Sequence, residues 1–239
     1  DNQLFDHPLL APDVAVVDPV LLTTEEIPAL IDSALTSLSV CCETFVFSNN
    51  PPARAYAASG IEFVTSCLTP LLEQTLPADR IFCSSAKPVR QAMAVLTHAS
   101  LITGYLLANH PPLIGYPLGR AIAEKANILP GSAMAVLLPD VLSEFNPSDQ
   151  TLGELLLPLT DPETYSMVPA SGRADAAVNQ IREMLYTLFR ISSGTIPRVL
   201  ADAGITADDL TGEGPLTAGT AGTDPEKIKA VLAASMGGE

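Results

Sequence analysis

Residues 129–146 read Leu-Pro-Gly-Ser-Ala-Met-Ala-Val-Leu-Leu-Pro-Asp-Val-Leu-Ser-Glu-Phe-Asn. The apolar run after Gly131 predicts a helix over about 131–145. Pro139 has no amide hydrogen to donate, so it bends or interrupts that helix. The segments on either side also read as helices, and the fold class is mostly α.

Upstream, Asp-Val-Ala-Val-Val-Asp at 13–18 is a short β-branched run ended by Pro19, which reads as a strand or extended arm. Thr23-Thr24-Glu25-Glu26 before an apolar run is a helix start, with acids in the first turn. That helix runs to about Phe47 and stops at Ser48-Asn49-Asn50-Pro51-Pro52. Further helices are expected over about 53–75, 87–109 and 117–126, punctuated by Pro77-Ala78-Asp79 and His110-Pro111-Pro112. The domain reading is an extended arm over 1–22 and a helical domain over 23–239.

Downstream, 151–158 and 161–166 carry little periodicity. A clear amphipathic helix follows over about 173–189, with Ala177, Ile181, Met184, Leu185 and Leu188 on one face. Residues 196–203 read as a short helix ended by Gly204, and Asp208-Asp209-Leu210 as one turn at most. The Gly/Thr-rich stretch 211–223 reads as loop. Thr223-Asp224-Pro225-Glu226 opens a last helix that ends near Met236-Gly237-Gly238.

The chain has 239 residues, 47% of them hydrophobic, enough for a substantial core. No apolar run reads as a membrane span, and 92–108, broken by Thr97, His98, Ser100 and Thr103, reads as a buried helix. With 27 acidic and 12 basic residues the formal charge is −15, which argues against a nucleic-acid or anionic-membrane partner. The four cysteines, Cys41, Cys42, Cys67 and Cys83, form no CxxC pair, and only three histidines occur. A structural zinc site is not expected. Buried reduced thiols and a polar opening without a leader pattern fit a cytoplasmic protein.

Residues 129–146 resemble the pattern I-P-H-G-x-A-N-A-x-L-L-P-x-V-x-x-F-N of the iron-containing alcohol dehydrogenases. Other stretches resemble the family in the same order: 13–21 its entering arm, 43–50 the end of its first core helix, 99–104 its A-S-x-x-A-G helix, 117–119 its H-P-L-G turn, and 196–200 and 224–232 its closing helices. The resemblance covers the family's C-terminal half. It implies a helical bundle of the dehydroquinate synthase-like kind, and a homo-oligomer, since the family commonly dimerises.

The family holds its divalent metal with an Asp and a His on one helix and two further His residues. The resemblance puts Thr36 at the Asp position, Val40 at the first His position, Pro112 near the third ligand and Pro130 at the fourth. It therefore implies no metal. The family's nucleotide-binding half has no counterpart, and no G-x-G-x-x-G follows a strand, so no cofactor is expected.

Loss of those donors leaves a more apolar cleft, either a pocket for an apolar small molecule or one filled by side chains. Glu43, His110 and Tyr116 are the catalytic candidates. Glu43 as a buried carboxyl would have a raised pKa and act as acid or base, or would cap or pair structurally. His110 lies in a Pro-rich loop beside the expected cleft. Tyr116 and Tyr105 offer hydroxyls to a ligand carbonyl or serve as core aromatics. Thr36, Ser39, Val40, His98, Tyr105, Asn109, Pro112, Pro130 and Ser132 are the expected lining, with His98 also readable as a satisfied core histidine. No Gly-x-Ser-x-Gly elbow supports a hydrolase, and Cys41-Cys42 is a weak nucleophile. Three functional classes follow: a metal-free, nucleotide-free cyclase, isomerase or dehydratase; a non-catalytic binding or assembly subunit; and the helical half of a split dehydrogenase.

Overall fold

The computed structural model describes residues 14, 16–24, 27–75, 87–109, 114–192, 194–206 and 223–237. Among these the regular structure is entirely helical: α1 (Ile27–Phe47), α2 (Pro51–Thr75), α3 (Lys87–Asn109), α4 (Gly115–Ala126), α5 (Pro130–Glu144), α6 (Asp149–Glu154), α7 (Leu156–Leu159), α8 (Pro162–Met167), α9 (Arg173–Ile191) and α10 (Pro225–Ser235).

The extended-arm reading is corrected in part. Residues 14 and 16–18 are exposed and irregular, but Pro19–Thr24 is a 3-10 helix, not arm. Asp18 starts it by accepting a hydrogen bond from the Val20 amide at 2.9 Å. Thr23 and Thr24 belong to this turn, not to α1, whose described residues begin at Ile27.

Three short helices arise where periodicity was too brief to read. Ser148 caps α6 by accepting from the Thr151 amide, and Asp161 caps α8 by accepting from the Glu163 and Thr164 amides. These caps satisfy donors that a first helical turn leaves open. Conversely, the helix expected over 196–203 shrinks to a 3-10 turn, Leu200–Ala203, which ends on Gly204 at φ +75°. Residues 208–210 and 211–222 lie outside the described set.

α5 is enclosed on every side: Gly131 through Pro139, Val141 and Leu142 are all buried. Ala135, Leu138 and Leu142 join the main core with α1, α2, α3, α7 and α9. Ala133, Val136, Leu137 and Val141 join a second core with α4, the 3-10 turn and α10. The helix runs through Pro139 without interruption, and the Ser143 hydroxyl donates to the Pro139 carbonyl at 2.8 Å.

The expectation that 92–108 forms a buried helix is also corrected. By length and composition α1 (29–47) and α3 (91–109) are both apolar enough to cross a membrane. The α1 span is 78% buried inside the bundle, the α3 span only 33%. α3 packs one flank on α1 and α2 and leaves Leu101 and Tyr105 exposed.

Of the described glycines, Gly131 marks the tightest approach, between α1 and α5. A Cβ on Gly131 would collide with the Asp32 carbonyl oxygen and meet Thr36 Oγ1 at 2.6 Å and Asp32 Oδ1 at 2.8 Å. Gly131→Ala forces backbone apart, and the expected loss is about 3 kcal/mol. Gly104, where an added Cβ meets nothing within 4 Å, sits within α3. Gly104→Ala should stabilise by about 0.5–1 kcal/mol. Urea unfolding of both variants checks the pair; equal effects would contradict the packing described.

Candidate functional site

α1 carries two carboxylates, Asp32 and Glu43, and each meets the start of another helix. Neither α4 nor α5 has a side-chain cap of its own. Asp32 supplies one to α5: its Oδ1 accepts from the Ser132 amide at 3.0 Å, and Gly131 adds a second backbone bond. Glu43 supplies one to α4: its Oε2 accepts from the Gly115 amide at 3.0 Å, with a second bond from Ile114. Anions are stabilised at helix N-termini by the open amides and the helix dipole. Burial opposes ionisation at both sites. It raises Asp32 above its ordinary value despite these bonds, and it carries the Glu43 carboxyl, only 1% exposed, from 4.5 up to about 7.

Thr36 and Val40 lie on α1 between the two carboxylates. Thr36 Oγ1 sits against Gly131, next to Pro130, so two of the four positions matched to family ligands are adjacent in space. Val40 is fully buried in the main core. Pro112 and His110 lie outside the described residues. Of these positions only Thr36 offers an oxygen, and among the described residues no three His, Cys, Asp or Glu gather as a metal site would require. This donor set does not fit a divalent transition metal.

The remaining candidates divide. Tyr116 follows Gly115 directly, is half-buried against the main core, and accepts at its hydroxyl from Arg120 Nη1 at 3.5 Å. Ser132 is buried at the α5 start. Ser39 is buried, but its hydroxyl donates to the Leu35 carbonyl of its own helix at 2.9 Å.

His98 and Tyr105 are not brought to this junction. His98 is exposed, its Nδ1 2.6 Å from the Ala94 carbonyl and its ring edge-on to Phe63 of α2. It is satisfied as the structural reading held, but on the surface rather than in the core. Tyr105 is exposed and packs edge-on to Tyr56 of α2, with ring centroids 5.2 Å apart. Asn109 is exposed at the end of α3, where its Nδ2 donates to the Tyr105 carbonyl. Their helical register points them away from α1, which the spacing within α3 alone did not reveal. Sequence reasoning missed Asp32. The signal was available: an acid eleven positions before Glu43 shares its face after about three turns.

Cys41 and Cys42 are poor nucleophiles. Burial pushes the Cys41 thiol up to about 12, even with the Thr103 hydroxyl beside it, and holds Cys42 well above its ordinary range. Both are free and buried.

A raised carboxyl makes stability fall with pH. Between about 4.5 and about 7 the unfolded chain has released the Glu43 proton while the folded chain keeps it. Stability falls across that window by about 3 kcal/mol and levels off above it. Glu43→Gln keeps an acceptor for the Gly115 amide and cannot ionise. The variant should gain about 3 kcal/mol over wild type between pH about 4 and pH about 8 in urea unfolding. A difference that stays flat over this range would contradict the burial of Glu43.

No protein-family model matches the chain, and no curated protein does. Solved structures do match. An archaeal halo-thermophilic alcohol dehydrogenase from a Red Sea brine pool (the H277A mutant) superposes with TM-score 0.70 at 17% identity, over 94% of this chain and 55% of its own. Alcohol dehydrogenase from Oenococcus oeni superposes with TM-score 0.65 at 15% identity, over 91% and 54%. Maleylacetate reductase from Rhizobium sp. strain MTP-10005 gives 0.64 at 16% identity, over 97% and 59%. The chain thus spans little more than half the length of these neighbours, and its fold is that of the C-terminal helical half of the iron-containing alcohol dehydrogenases.

Proposed function

We propose that this helical domain has given up its family's metal chemistry and uses the α1–α4–α5 junction for metal-free, nucleotide-free proton transfer on an uncharged, mostly apolar small molecule. The observation that carries this reading is Glu43, a buried carboxyl pushed up to about 7 by burial, on the helix where the resemblance sets Thr36 and Val40 at the family's ligand positions. A general acid–base works best when its pKa lies near the working pH. Tyr116, which follows Gly115 at the start of α4, supplies a hydroxyl to polarise a carbonyl. Isomerisation, dehydration and cyclisation all begin with such a transfer.

The simplest substrate probe is cyclohexanone in D₂O. Glu43 carboxylate takes an α-proton as Tyr116 donates to the carbonyl oxygen, and deuterium returns to the same carbon. Loss of the α-proton NMR signal should outpace buffer and rise through pH about 7 as Glu43 ionises. It should vanish in Glu43→Gln and slow about tenfold in Tyr116→Phe. A rate equal to buffer, or unchanged in Glu43→Gln, would sink the reading. Dialysis against Fe²⁺ or Zn²⁺ followed by elemental analysis should leave no stoichiometric metal; one retained ion per chain would instead revive the split-dehydrogenase reading.

A second reading, a self-associating assembly subunit, is favoured by the exposed apolar flank of α2 and α3, where Tyr56, Leu101 and Tyr105 are 46–50% exposed. Sedimentation should then give a dimer that Leu101→Lys dissociates; a wild-type monomer at all concentrations would exclude it.

A further inference from the structure

Along the second half of α5, away from the carboxylate junction, a cavity of about 790 Å³ opens between α5, α9, α10 and residues 198–199 before the 3-10 turn. That volume lies within the range of small-molecule sites. Its base is apolar, built from Val136, Pro139, Leu185 and Val199. Its walls are cationic. Three of the chain's 12 basic residues, Arg182, Arg190 and Arg198, line it, in a chain of formal charge −15. Arg182, Tyr186 and Arg190 follow one another at four-residue spacing, which puts them in one row along α9.

The cations are not equally available. Asp140 is nearly buried, and both its oxygens are engaged: Arg182 donates to Oδ1 at 2.8 Å, and the Ser235 hydroxyl donates to Oδ2 at 2.6 Å. Arg198 is half engaged. Its Nε donates to Asp202 at 3.0 Å while its guanidinium lies over the Phe189 ring at 4.4 Å, leaving both terminal nitrogens unbonded among the described residues. Arg190 has no partner among them at all. One carboxylate, Glu183, also borders the cavity and is likewise unpaired there.

We propose that this cavity binds an organic carboxylate with an apolar, flat body. Arg190 and the free edge of Arg198 hold the carboxylate, since a guanidinium fork matches it with two parallel hydrogen bonds. Tyr186 and the aliphatic base cover the body. The walls lack the glycine-rich turn or long-helix N-terminus that a phosphate site uses, and the lining is too apolar for a small inorganic ion. Glu183 limits affinity by like-charge repulsion.

Titration of the full chain with cinnamate, cinnamyl alcohol and inorganic phosphate, followed by calorimetry, tests this. Cinnamate should bind at millimolar concentration or better, the uncharged alcohol about tenfold more weakly, and phosphate not measurably. Arg190→Gln should weaken cinnamate at least about tenfold without moving the melting temperature of the free protein, because the side chain is exposed and unpaired. Glu183→Gln should tighten it. No cinnamate binding, equal binding of acid and alcohol, phosphate binding as tight as cinnamate, or an unchanged affinity in Arg190→Gln would each overturn the proposal. Cyclohexanone exchange at Glu43 should proceed unaltered in Arg190→Gln, so the two sites fail or stand independently.

Discussion

The bundle depends on one arrangement: a single helix, α1, lends a carboxylate to the start of each of two others. Asp32 answers the open amides of α5, and Glu43 those of α4. A helix terminus buried without partners costs several unsatisfied hydrogen bonds. Here the two helices begin at Pro130 and Gly115 with hydrophobic residues, Leu129 and Ile114, at their cap positions. The satisfying groups must come from elsewhere in the chain. Their separation along α1, close to three turns, fixes how far apart α4 and α5 begin. Gly131 and Gly115 permit it, because each lies where a Cβ would strike the capping residue itself.

The same arrangement explains the electrostatics. A carboxylate at a helix start is ordinarily held below its usual pKa. These two are raised, so desolvation outweighs two backbone bonds at each site. A purely structural cap would be cheaper near the surface. Placing Glu43 at 1% exposure makes it weaker as an anchor at neutral pH, because burial disfavours its charged form. That tension separates Glu43 from the exposed cap Asp161, whose pKa is lowered by the bonds it accepts from Thr164 and Glu163.

Much of this fold was written in local pattern. The long apolar helices α1, α2, α3 and α5 and the amphipathic α9 follow from periodicity and from proline and glycine punctuation, and their order carried the family resemblance. The short helices α6 and α8 did not, because six residues are too few for a period. Only their caps, Ser148 and Asp161, marked them. The candidate site was legible where residues share one helix face, as Thr36, Val40 and Glu43 do. It failed for His98 and Tyr105, since which flank of α3 faces α1 is decided by tertiary packing, not by spacing within α3. His110 and Pro112 lie outside the described residues.

The arginine-lined cavity was invisible for a related reason. Arg182, Tyr186 and Arg190 read in sequence as the solvated face of an amphipathic helix, and α9 does bury the opposite face through Ala177, Ile181, Leu185 and Leu188. What turns that face into a wall is the arrival of α10 and of Arg198 from other parts of the chain. Asp140 decides which charge stays free. Held by Ser235 and placed one turn before the end of α5, it can recruit Arg182, one helix over, but not Arg190, two turns further along α9. A half-exposed ion pair such as Arg182–Asp140 adds little stability on its own. Its consequence is to neutralise Asp140 where it lines the cavity. Arg190 is then the cation left without a partner among the described residues there, facing the equally unpaired Glu183, in a protein otherwise dominated by acids.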